Sequence, residues 1–227
     1  ASQLGIPTLI HEQNSIIGLT NKILIKKVDR IVCCYEKALE VFPADKTILL
    51  GNPRASVVSE QKLLDIHDIY NIPKDKKTVV IVMGSLGSES INEMMTNVLD
   101  NMQADDYHVI YVTGKDHYED MKKELKHVTS NIHLVDYIND MPSLISSCDL
   151  IVSRAGATTL AEITALGAAS LLIPSPYVVA NHQEYNAKEL VDVTSKFYEE
   201  IDLVSGRYVV DAKSIIGIFG LNLLNPV

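Results

Sequence analysis

Short apolar runs alternate with longer amphipathic stretches along most of this chain of 227 residues. The run at residues 79–83 (VVIVM) is apolar at every position, which is typical of a parallel strand covered on both faces. We expect strands at residues 8–10, 30–34, 47–50, 78–83, 107–112, 132–135, 150–153 and 170–173. Helices are expected at residues 18–27, 37–41, 88–102, 117–126, 141–146, 158–166 and 182–190. This alternation predicts βαβ units, and therefore an α/β fold with parallel sheets.

Charge and composition exclude several classes of protein. The net charge of -9 argues against a general nucleic-acid surface, which needs a basic excess. No apolar run approaches the roughly 20 residues that span a bilayer. The cysteines Cys33, Cys34 and Cys148 lack the CxxC spacing of a metal site, so we expect small buried side chains in a reducing cytoplasm. The sequence begins at Ala1, and residues 5–10 already form a loop that leads into a strand, so we expect that an N-terminal portion is missing.

Two segments that join a strand to a helix carry small residues. In residues 83–88 (MGSLGS), glycines let the backbone approach a ligand, and the N–H groups of the next helix favour an anion. This segment predicts a diphosphate cradle or, equally, an ordinary tight turn. In residues 153–162 (SRAGATTLAE), Thr158 or Thr159 can donate to phosphate, and Glu162 can accept both hydroxyls of a ribose. The alternative there is a capped helix with a glutamate in its first turn.

Three further polar segments carry two interpretations each. Residues 11–14 (HEQN) follow a strand, so they form a substrate-facing loop or a polar loop that caps a helix. Gln183 and Asn186 share a helix face and could read sugar hydroxyls, or they belong to a solvated helix start. A basic group on one amphipathic helix could face anionic lipid headgroups, or it is a solvated face. Its members are Lys22, Lys26, Lys27 and Arg30.

Taken in order, these segments resemble the MurG family, the UDP-N-acetylglucosamine transferases that complete lipid II in peptidoglycan synthesis. The matching blocks are HEQNSIIGLTNK (11–22), GNPR (51–54), MGSLGS (83–88) with Asn92 after it, YVTGK (111–115), DYINDM (136–141), SRAGATTLAEI (153–163) and NHQEYNA (181–187). The resemblance covers residues 5 to about 191. The blocks at 11–14 and 153–162 separate this family from other transferases built from two Rossmann-like domains.

The resemblance implies a GT-B fold of two Rossmann-like domains with a cleft between them, and an inverting transfer. It makes residues 1–55 an incomplete N-terminal acceptor domain, 56–191 the domain that binds UDP-N-acetylglucosamine, and 192–227 a divergent tail. The implied acceptor is the undecaprenyl-diphosphate-linked muramyl pentapeptide, lipid I, at the cytoplasmic face of the bacterial membrane. Such an enzyme serves cell-wall synthesis, cell shape and division, is peripheral to the membrane, and needs no cofactor or metal.

The family's donor-site residues carry over to matching positions of this sequence. They imply Asn14 at the interdomain site, Arg54 near the donor phosphates, Ser85 on the diphosphate, the backbone of Ile138 on uracil and Gln183 on the sugar hydroxyls. The segment around ribose and phosphate comprises Ala157, Thr158, Thr159, Leu160, Ala161 and Glu162. His11 and Glu12 are candidates for the catalytic base by position alone.

The chain departs from the family pattern at three places. Leu86 replaces the amide of the family's GGSQGA loop, so a backbone cradle is expected there without that side chain. The N-terminal GGTGGH-type loop is not in the sequence, and residues 192–227 do not resemble the family's final helix. One alternative function is therefore a nucleotide-sugar-binding fragment without activity. An NAD-dependent oxidoreductase is the other, but residues 83–88 lack the full GxGxxG spacing.

Overall fold

The computed structural model describes residues 1–84, 89–102, 106–125, 130–194, 202–205 and 208–211. The chain divides into two compact units, one formed by Ala1–Gly51 with Ser175–Val227 and the other by Asn52–Pro174. These limits differ from the expected ones at residues 55 and 191. The sheets within both units are described below, and their parallel strands confirm the predicted α/β class.

The elements of both units follow in chain order. The strands are β1 (Leu9–Glu12), β2 (Arg30–Cys33), β3 (Thr47–Leu49), β4 (Lys77–Val82), β5 (Tyr107–Val112), β6 (Ile132–Val135), β7 (Leu150–Ser153), β8 (Ser170–Leu172), β9 (Asp202–Ser205) and β10 (Tyr208–Asp211). The α-helices are α1 (Leu19–Leu24), α2 (Glu36–Leu39), α3 (Pro53–Glu60), α4 (Ile66–Tyr70), α5 (Glu89–Asn101), α6 (Tyr118–Glu124), α7 (Met141–Ser147), α8 (Ala157–Leu166) and α9 (His182–Thr194). Among the described helices, none is long and apolar enough to cross a membrane.

The first unit contains a parallel three-stranded sheet in the order β1-β2-β3. Its core is a cluster of buried apolar side chains: Val28, Ile31, Cys33, Ala38 and Phe42. Strands β9 and β10 pair separately as an antiparallel hairpin. Helix α9 also belongs to this unit, because side chains of its residues bond to the loop after β1 and to α2.

The second unit contains a parallel five-stranded sheet in the order β6-β5-β4-β7-β8. A core cluster of buried side chains packs around it, among them Leu99, Val109, Tyr111, Met121 and Val152. Strands β5 and β6 extend the sheet to one side of β4, whereas β7 and β8 extend it to the other. In open α/β sheets, ligands bind beyond the carboxyl ends of the strands at such a reversal. The topology therefore predicts a ligand site at the segments that follow β4 and β7.

The eight predicted strands are confirmed to within two residues at each end, but strands β9 and β10 and two helices were missed. Helices α3 and α4 occupy a stretch that the sequence indicated as a turn followed by a polar segment. Asn52 accepts a hydrogen bond from the backbone N–H of Arg54 (3.0 Å), and Pro53 stands in the first turn, so the turn residues begin a helix. Asp65 caps α4 by accepting from His67 N–H at 2.9 Å.

Candidate functional site

The loops after β4 and β7 leave the second unit's sheet at neighbouring points, because Val82 pairs with Ser153. Gly84 follows β4 with φ of 113°, a conformation that side chains other than glycine's disfavour. A Cβ built there meets no atom of the described residues within 4 Å, so the backbone conformation itself is what favours glycine. The expected diphosphate contact Ser85 lies outside the described residues, as do residues 86–88.

The loop after β7 is fixed to β8 by backbone and side-chain bonds. Arg154 Nη1 donates to the carbonyl oxygens of Ile173 (3.0 Å) and Pro174 (3.1 Å), and Ile173 N–H donates to Ser153 O at 2.8 Å. The arginine of this block therefore has a structural role that the sequence analysis did not assign. These bonds hold the loop where α8 begins.

The amino end of α8 is open to a ligand. Gly156 occupies the N-cap position and supplies no side-chain hydrogen bond. The first N–H groups of a helix have no partner within the helix and carry a partial positive charge. Thr158 is exposed and Thr159 is half-buried, and neither hydroxyl bonds within the part of the chain that the structure describes. Backbone and hydroxyl donors are therefore available together for an anion.

Glu162 is a buried carboxylate on the same helix, with 4% of its surface exposed. Helix α3 packs against α8, and Arg54 Nε donates to Glu162 Oε1 at 2.6 Å. The side chain of Arg54 is 37% exposed, whereas that of Glu162 is 5% exposed. The structure thus joins the residue expected at the ribose to the residue expected at the phosphates. Within the described residues, Glu162 Oε2 accepts no hydrogen bond.

The other expected donor-site residues of this unit differ in exposure. Ile138 lies between β6 and α7, at the same carboxyl edge of the sheet, with its side chain 7% exposed. Leu160 points into the interior with 3% exposure, so only its backbone is open to a ligand role. Ala157 and Ala161 are partly exposed on α8.

A buried amide links the first turn of α5 to β5. Tyr111 Oη donates to Asn92 Oδ1 at 2.6 Å, and Asn92 Nδ2 donates to the carbonyl of Thr113 at 3.0 Å. Asn92 is 7% exposed, and both of its partners belong to β5 or follow it directly. The sequence analysis noted Asn92 only as part of a family block.

In the first unit, Glu12 ends β1 and is 3% exposed. Its Oε1 accepts from Asn14 N (3.0 Å) and Nδ2 (3.3 Å). Its Oε2 accepts from Gly18 N and from Asn21 Nδ2, each at 2.9 Å. Glu12 therefore organises the loop, and this geometry does not favour the role of catalytic base that its position suggested.

His11 contacts Gly51 O (3.2 Å) and Cys34 Sγ (3.3 Å) through the same ring nitrogen, Nε2. A carbonyl only accepts hydrogen bonds, so Nε2 carries a proton and Nδ1 is the basic nitrogen of the neutral ring. Burial, with Cys33 and Glu12 nearby, raises the pKa of the Cys34 thiol to about 11. The pair is therefore not an activated thiolate.

The two amides of α9 have different surroundings. Gln183 Oε1 accepts from the N–H of Ser175 at 2.9 Å, and the residue is half-buried. Asn186 is 0% exposed, and its amide bonds to Ser15 N (2.9 Å) and Asn14 Oδ1 (3.0 Å). Because Asn186 is fully buried, the interpretation of this residue as part of a solvated helix start is wrong, whereas a role in reading sugar hydroxyls stays a prediction.

The basic group expected at a lipid surface is exposed throughout. Its members are Lys22, Lys26, Lys27 and Arg30. Beside them on α1, Leu19 is 73% exposed and Ile23 is 62% exposed. Only Lys22 of the four basic residues lies on α1, because the helix ends at Leu24; Lys26 and Lys27 follow it and Arg30 begins β2, so the expected single basic helix is wrong.

A family model for the glycosyltransferase family 28 C-terminal domain matches residues 78–205, which is more than half of the chain. The chain belongs to glycosyltransferase family 28. The match includes the second unit's sheet from β4 to β8 and the helix α8 on which Glu162 lies. It also extends through α9 to the end of β9, and so into residues that were expected to form a divergent tail.

Curated relatives carry the name UDP-N-acetylglucosamine--N-acetylmuramyl-(pentapeptide) pyrophosphoryl-undecaprenol N-acetylglucosamine transferase. One from Bacillus cereus is 43% identical over 219 residues, which is 95% of this chain and 60% of that protein. One from Bacillus subtilis is 44% identical over 214 residues, 93% of this chain and 59% of that protein. The chain thus spans about three fifths of the length of these relatives. The resemblance to MurG is confirmed.

Solved structures give the same result. The crystal structure of MurG from Acinetobacter baumannii is similar with a TM-score of 0.61 and 29% identity, covering 84% of this chain and 52% of that one. The structure of S. aureus MnaA with UDP has a TM-score of 0.57 at 15% identity, covering 84% of this chain and 62% of that one. The second likeness concerns the fold alone.

Proposed function

We propose that this chain carries the donor-binding part of an inverting hexosyltransferase. The enzyme moves N-acetylglucosamine from UDP-N-acetylglucosamine to the muramyl pentapeptide on undecaprenyl diphosphate, converting lipid I to lipid II. The observation that supports this proposal most strongly is the Arg54–Glu162 ion pair beside the open amino end of α8. It lies where the strand order of the five-stranded sheet changes direction, between β4 and β7. The printed names of the curated relatives supply the sugar and the acceptor.

The geometry supports a different role for each of the donor-site residues. The amino end of α8 and the hydroxyls of Thr158 and Thr159 bind the diphosphate, whose negative charge grows as the sugar leaves. Glu162 accepts the ribose hydroxyls through Oε2 while Arg54 neutralises its charge, and the family resemblance also implies a contact of Arg54 with the donor phosphates. The family resemblance also implies donor contacts by Ser85, by the backbone of Ile138 and by Gln183, and these contacts stay predictions.

Transfer with inversion requires a base that takes the proton of the acceptor hydroxyl as UDP leaves. Glu12 is saturated with hydrogen bonds, so we do not assign it as the base. Nε2 of His11 faces a carbonyl and Nδ1 stays basic, so His11 remains a prediction by position alone, and the proposal rests on stabilisation of the leaving group.

The experiment is a calorimetric titration of the chain with UDP-N-acetylglucosamine, UDP and 2′-deoxy-UDP, with a transfer assay to a lipid I analogue. Glu162→Gln should weaken UDP binding by about 10- to 100-fold, the worth of a hydrogen bond to a charged group, and should bring UDP and 2′-deoxy-UDP to equal affinity. Asp120→Asn, an exposed carboxylate on α6, is the matched control and should change neither. No binding at millimolar nucleotide sugar contradicts the proposal, whereas binding without turnover supports the alternative of a nucleotide-sugar-binding fragment.

We also propose that the basic group on and after α1 binds the anionic cytoplasmic face of the membrane. Exposed Lys22 on α1, with exposed Lys26 and Lys27 shortly after it, occurs together with exposed Leu19 and Ile23, and cationic and apolar side chains in combination favour an anionic lipid surface. Cosedimentation with phosphatidylglycerol vesicles should fall when Lys22, Lys26 and Lys27 are changed to Glu. The same change at Lys122 and Lys123 on α6 is the control, and an equal loss there would contradict a specific surface.

A further inference from the structure

Helix α3 of the second unit is bonded at its two ends to two different helices. Arg54, in its first turn, donates from Nε to Glu162 Oε1 on α8 at 2.6 Å. Gln61, which directly follows its last residue, donates from Nε2 to Asp140 Oδ1 at the start of α7, at 3.0 Å. The eight residues of α3 make a helix about 12 Å long, so the two bonds are one helix length apart. Together they therefore resist a rotation or a tilt of α3.

Asp140 is the N-cap of α7 and accepts from two further donors besides Gln61. Ser143 donates its N–H to Oδ1 (3.3 Å) and its hydroxyl to Oδ2 (2.6 Å). Ser143 is fully buried, and its Oγ also accepts from the N–H of Leu64 at 2.9 Å. Because a carboxylate only accepts, the Ser143 proton and the Gln61 amide nitrogen must both face Asp140. The partners thus fix the direction of every hydrogen bond in this cluster.

The carboxyl of Asp140 also interacts with the charge of Arg54. Burial alone would raise the pKa of Asp140, but the hydrogen bonds from Ser143 and Gln61 and the positive charge of Arg54 hold this pKa below its ordinary value. Asp140 is therefore ionised at neutral pH. Hydrogen bonds to an ionised acceptor are roughly twice as strong as those between neutral groups, so the bond from Gln61 is a strong attachment for the end of α3.

The same bond connects two segments at which donor contacts are expected. Asp140 lies two residues after Ile138, in the segment that joins β6 to α7. Arg54 uses Nε for Glu162, and within the described residues its two terminal nitrogens donate to no protein group. These nitrogens are available to a ligand only while α3 keeps Arg54 beside Glu162.

We propose that Gln61 and Asp140 are positioning residues of the donor site, which hold α3 so that Arg54 stays beside Glu162 with its terminal nitrogens directed to the nucleotide. A side chain that is already held in place loses less freedom when a ligand binds, and the affinity is higher for that reason. This inference rests on the proposed binding of a nucleotide sugar. It assigns the two residues a function that acts through Arg54 and not through a contact of their own with ligand.

The test is the dissociation constant for UDP, measured by calorimetry on the full chain. Gln61→Ala should raise this constant by about 3- to 10-fold, as expected for the loss of one hydrogen bond. Gln61→Lys keeps an N–H donor for the Asp140 carboxylate and should bind UDP as the wild type does. In the Arg54→Ala background, Gln61→Ala should have no further effect, because the two residues act as one unit. A merely structural role of Gln61 would not produce this non-additivity.

Each other result has a distinct meaning. Glu60→Gln, at an exposed position of the same helix, is the matched control and should leave UDP binding unchanged. An unchanged dissociation constant in Gln61→Ala, or a Gln61→Ala effect that persists in the Arg54→Ala background, overturns the inference while the proposed function stands. Failure of the wild type to bind UDP refutes the proposed function, and this inference with it.

Two further variants cover the case in which Gln61→Ala does not fold. Gln61→Asn keeps the amide on a shorter side chain that does not reach Asp140, and it should weaken UDP binding as Gln61→Ala does. Gln61→Glu sets a carboxylate against Asp140 and should weaken binding more. Relative to the wild type at the same salt concentration, added salt should reduce the loss in Gln61→Glu but not that in Gln61→Asn, because salt screens repulsion between partly exposed charges. Binding of UDP by both variants as tightly as by the wild type contradicts the inference.

Discussion

The ion pair between Arg54 and Glu162 should respond unequally to loss of its two members. Their side chains are 37% and 5% exposed, so an unpaired Glu162 carboxylate costs more free energy than an unpaired Arg54 guanidinium. Arg54→Ala leaves a buried carboxylate without its cation, whereas Glu162→Gln leaves an arginine that water can reach. Breaking a fully buried pair costs about 3–5 kcal/mol and an exposed pair at most about 1 kcal/mol. Since Arg54 is partly solvated, we expect about 2–3 kcal/mol for Arg54→Ala and about 1 kcal/mol for Glu162→Gln.

Urea denaturation and thermal unfolding of the chain measure this difference. For a chain of this size, the loss in Arg54→Ala corresponds to a lowering of Tm by about 4–12 °C. The variant that carries both substitutions should be more stable than Arg54→Ala alone, because a neutral amide costs less to bury than a carboxylate. Asp120→Asn, which breaks an exposed pair with Lys123, is the control and should leave the unfolding temperature unchanged. If Glu162→Gln is at least as destabilising as Arg54→Ala, the reasoning from exposure is refuted.

Three further predictions concern groups away from the donor site. Burial, with His108 nearby, lowers the pKa of His133 in the folded chain. As the pH falls, the unfolded chain therefore binds a proton at this histidine first, and the free energy of unfolding should decrease below about pH 6.5. His133→Gln should reduce the change in Tm between pH 7.5 and 5.5. Tyr111→Phe removes the donor to Asn92 Oδ1 and should cost about 1–2 kcal/mol in urea denaturation. Cys34, with a pKa raised to about 11 by burial, should react with iodoacetamide at pH 8 far more slowly in the folded chain than in urea.

Each of these predictions has a contrary result. An equal pH dependence in His133→Gln would assign the loss of stability to other groups. Tyr118→Phe on α6 is the control for Tyr111→Phe. Equal losses of unfolding free energy in the two variants would argue against a buried hydrogen bond at Tyr111. Rapid labelling of Cys34 in the folded chain would contradict its burial.

The local pattern of the sequence was sufficient for strands β1 to β8, but not for β9 and β10 or for every helix. Each strand carries its own apolar run, and the run at residues 79–83 identifies a buried parallel strand without any partner. Helix α3 was missed because glycine, asparagine and proline at residues 51–53 were interpreted as a turn. The same residues are a helix-start signal, with Asn52 as N-cap and Pro53 in the first turn.

The donor loops could be identified from the sequence, but the contacts between distant residues could not. Arg54 and Glu162 are 108 positions apart, and nothing in either segment indicates that they pair. The burial of Asn186 escaped detection for the same reason, since helical spacing shows which residues share a face and not what covers that face. Glu12 likewise resembled a candidate base because its four donors come from the tertiary fold of the loop.

The central claim is that a uridine nucleotide binds beyond the carboxyl ends of β4 and β7. A crystal structure of the chain grown with UDP tests it most directly. We predict density for the diphosphate at the amino end of α8 and for the ribose hydroxyls against Glu162 Oε2. A nucleotide bound elsewhere, or no nucleotide at saturating UDP, would contradict the account.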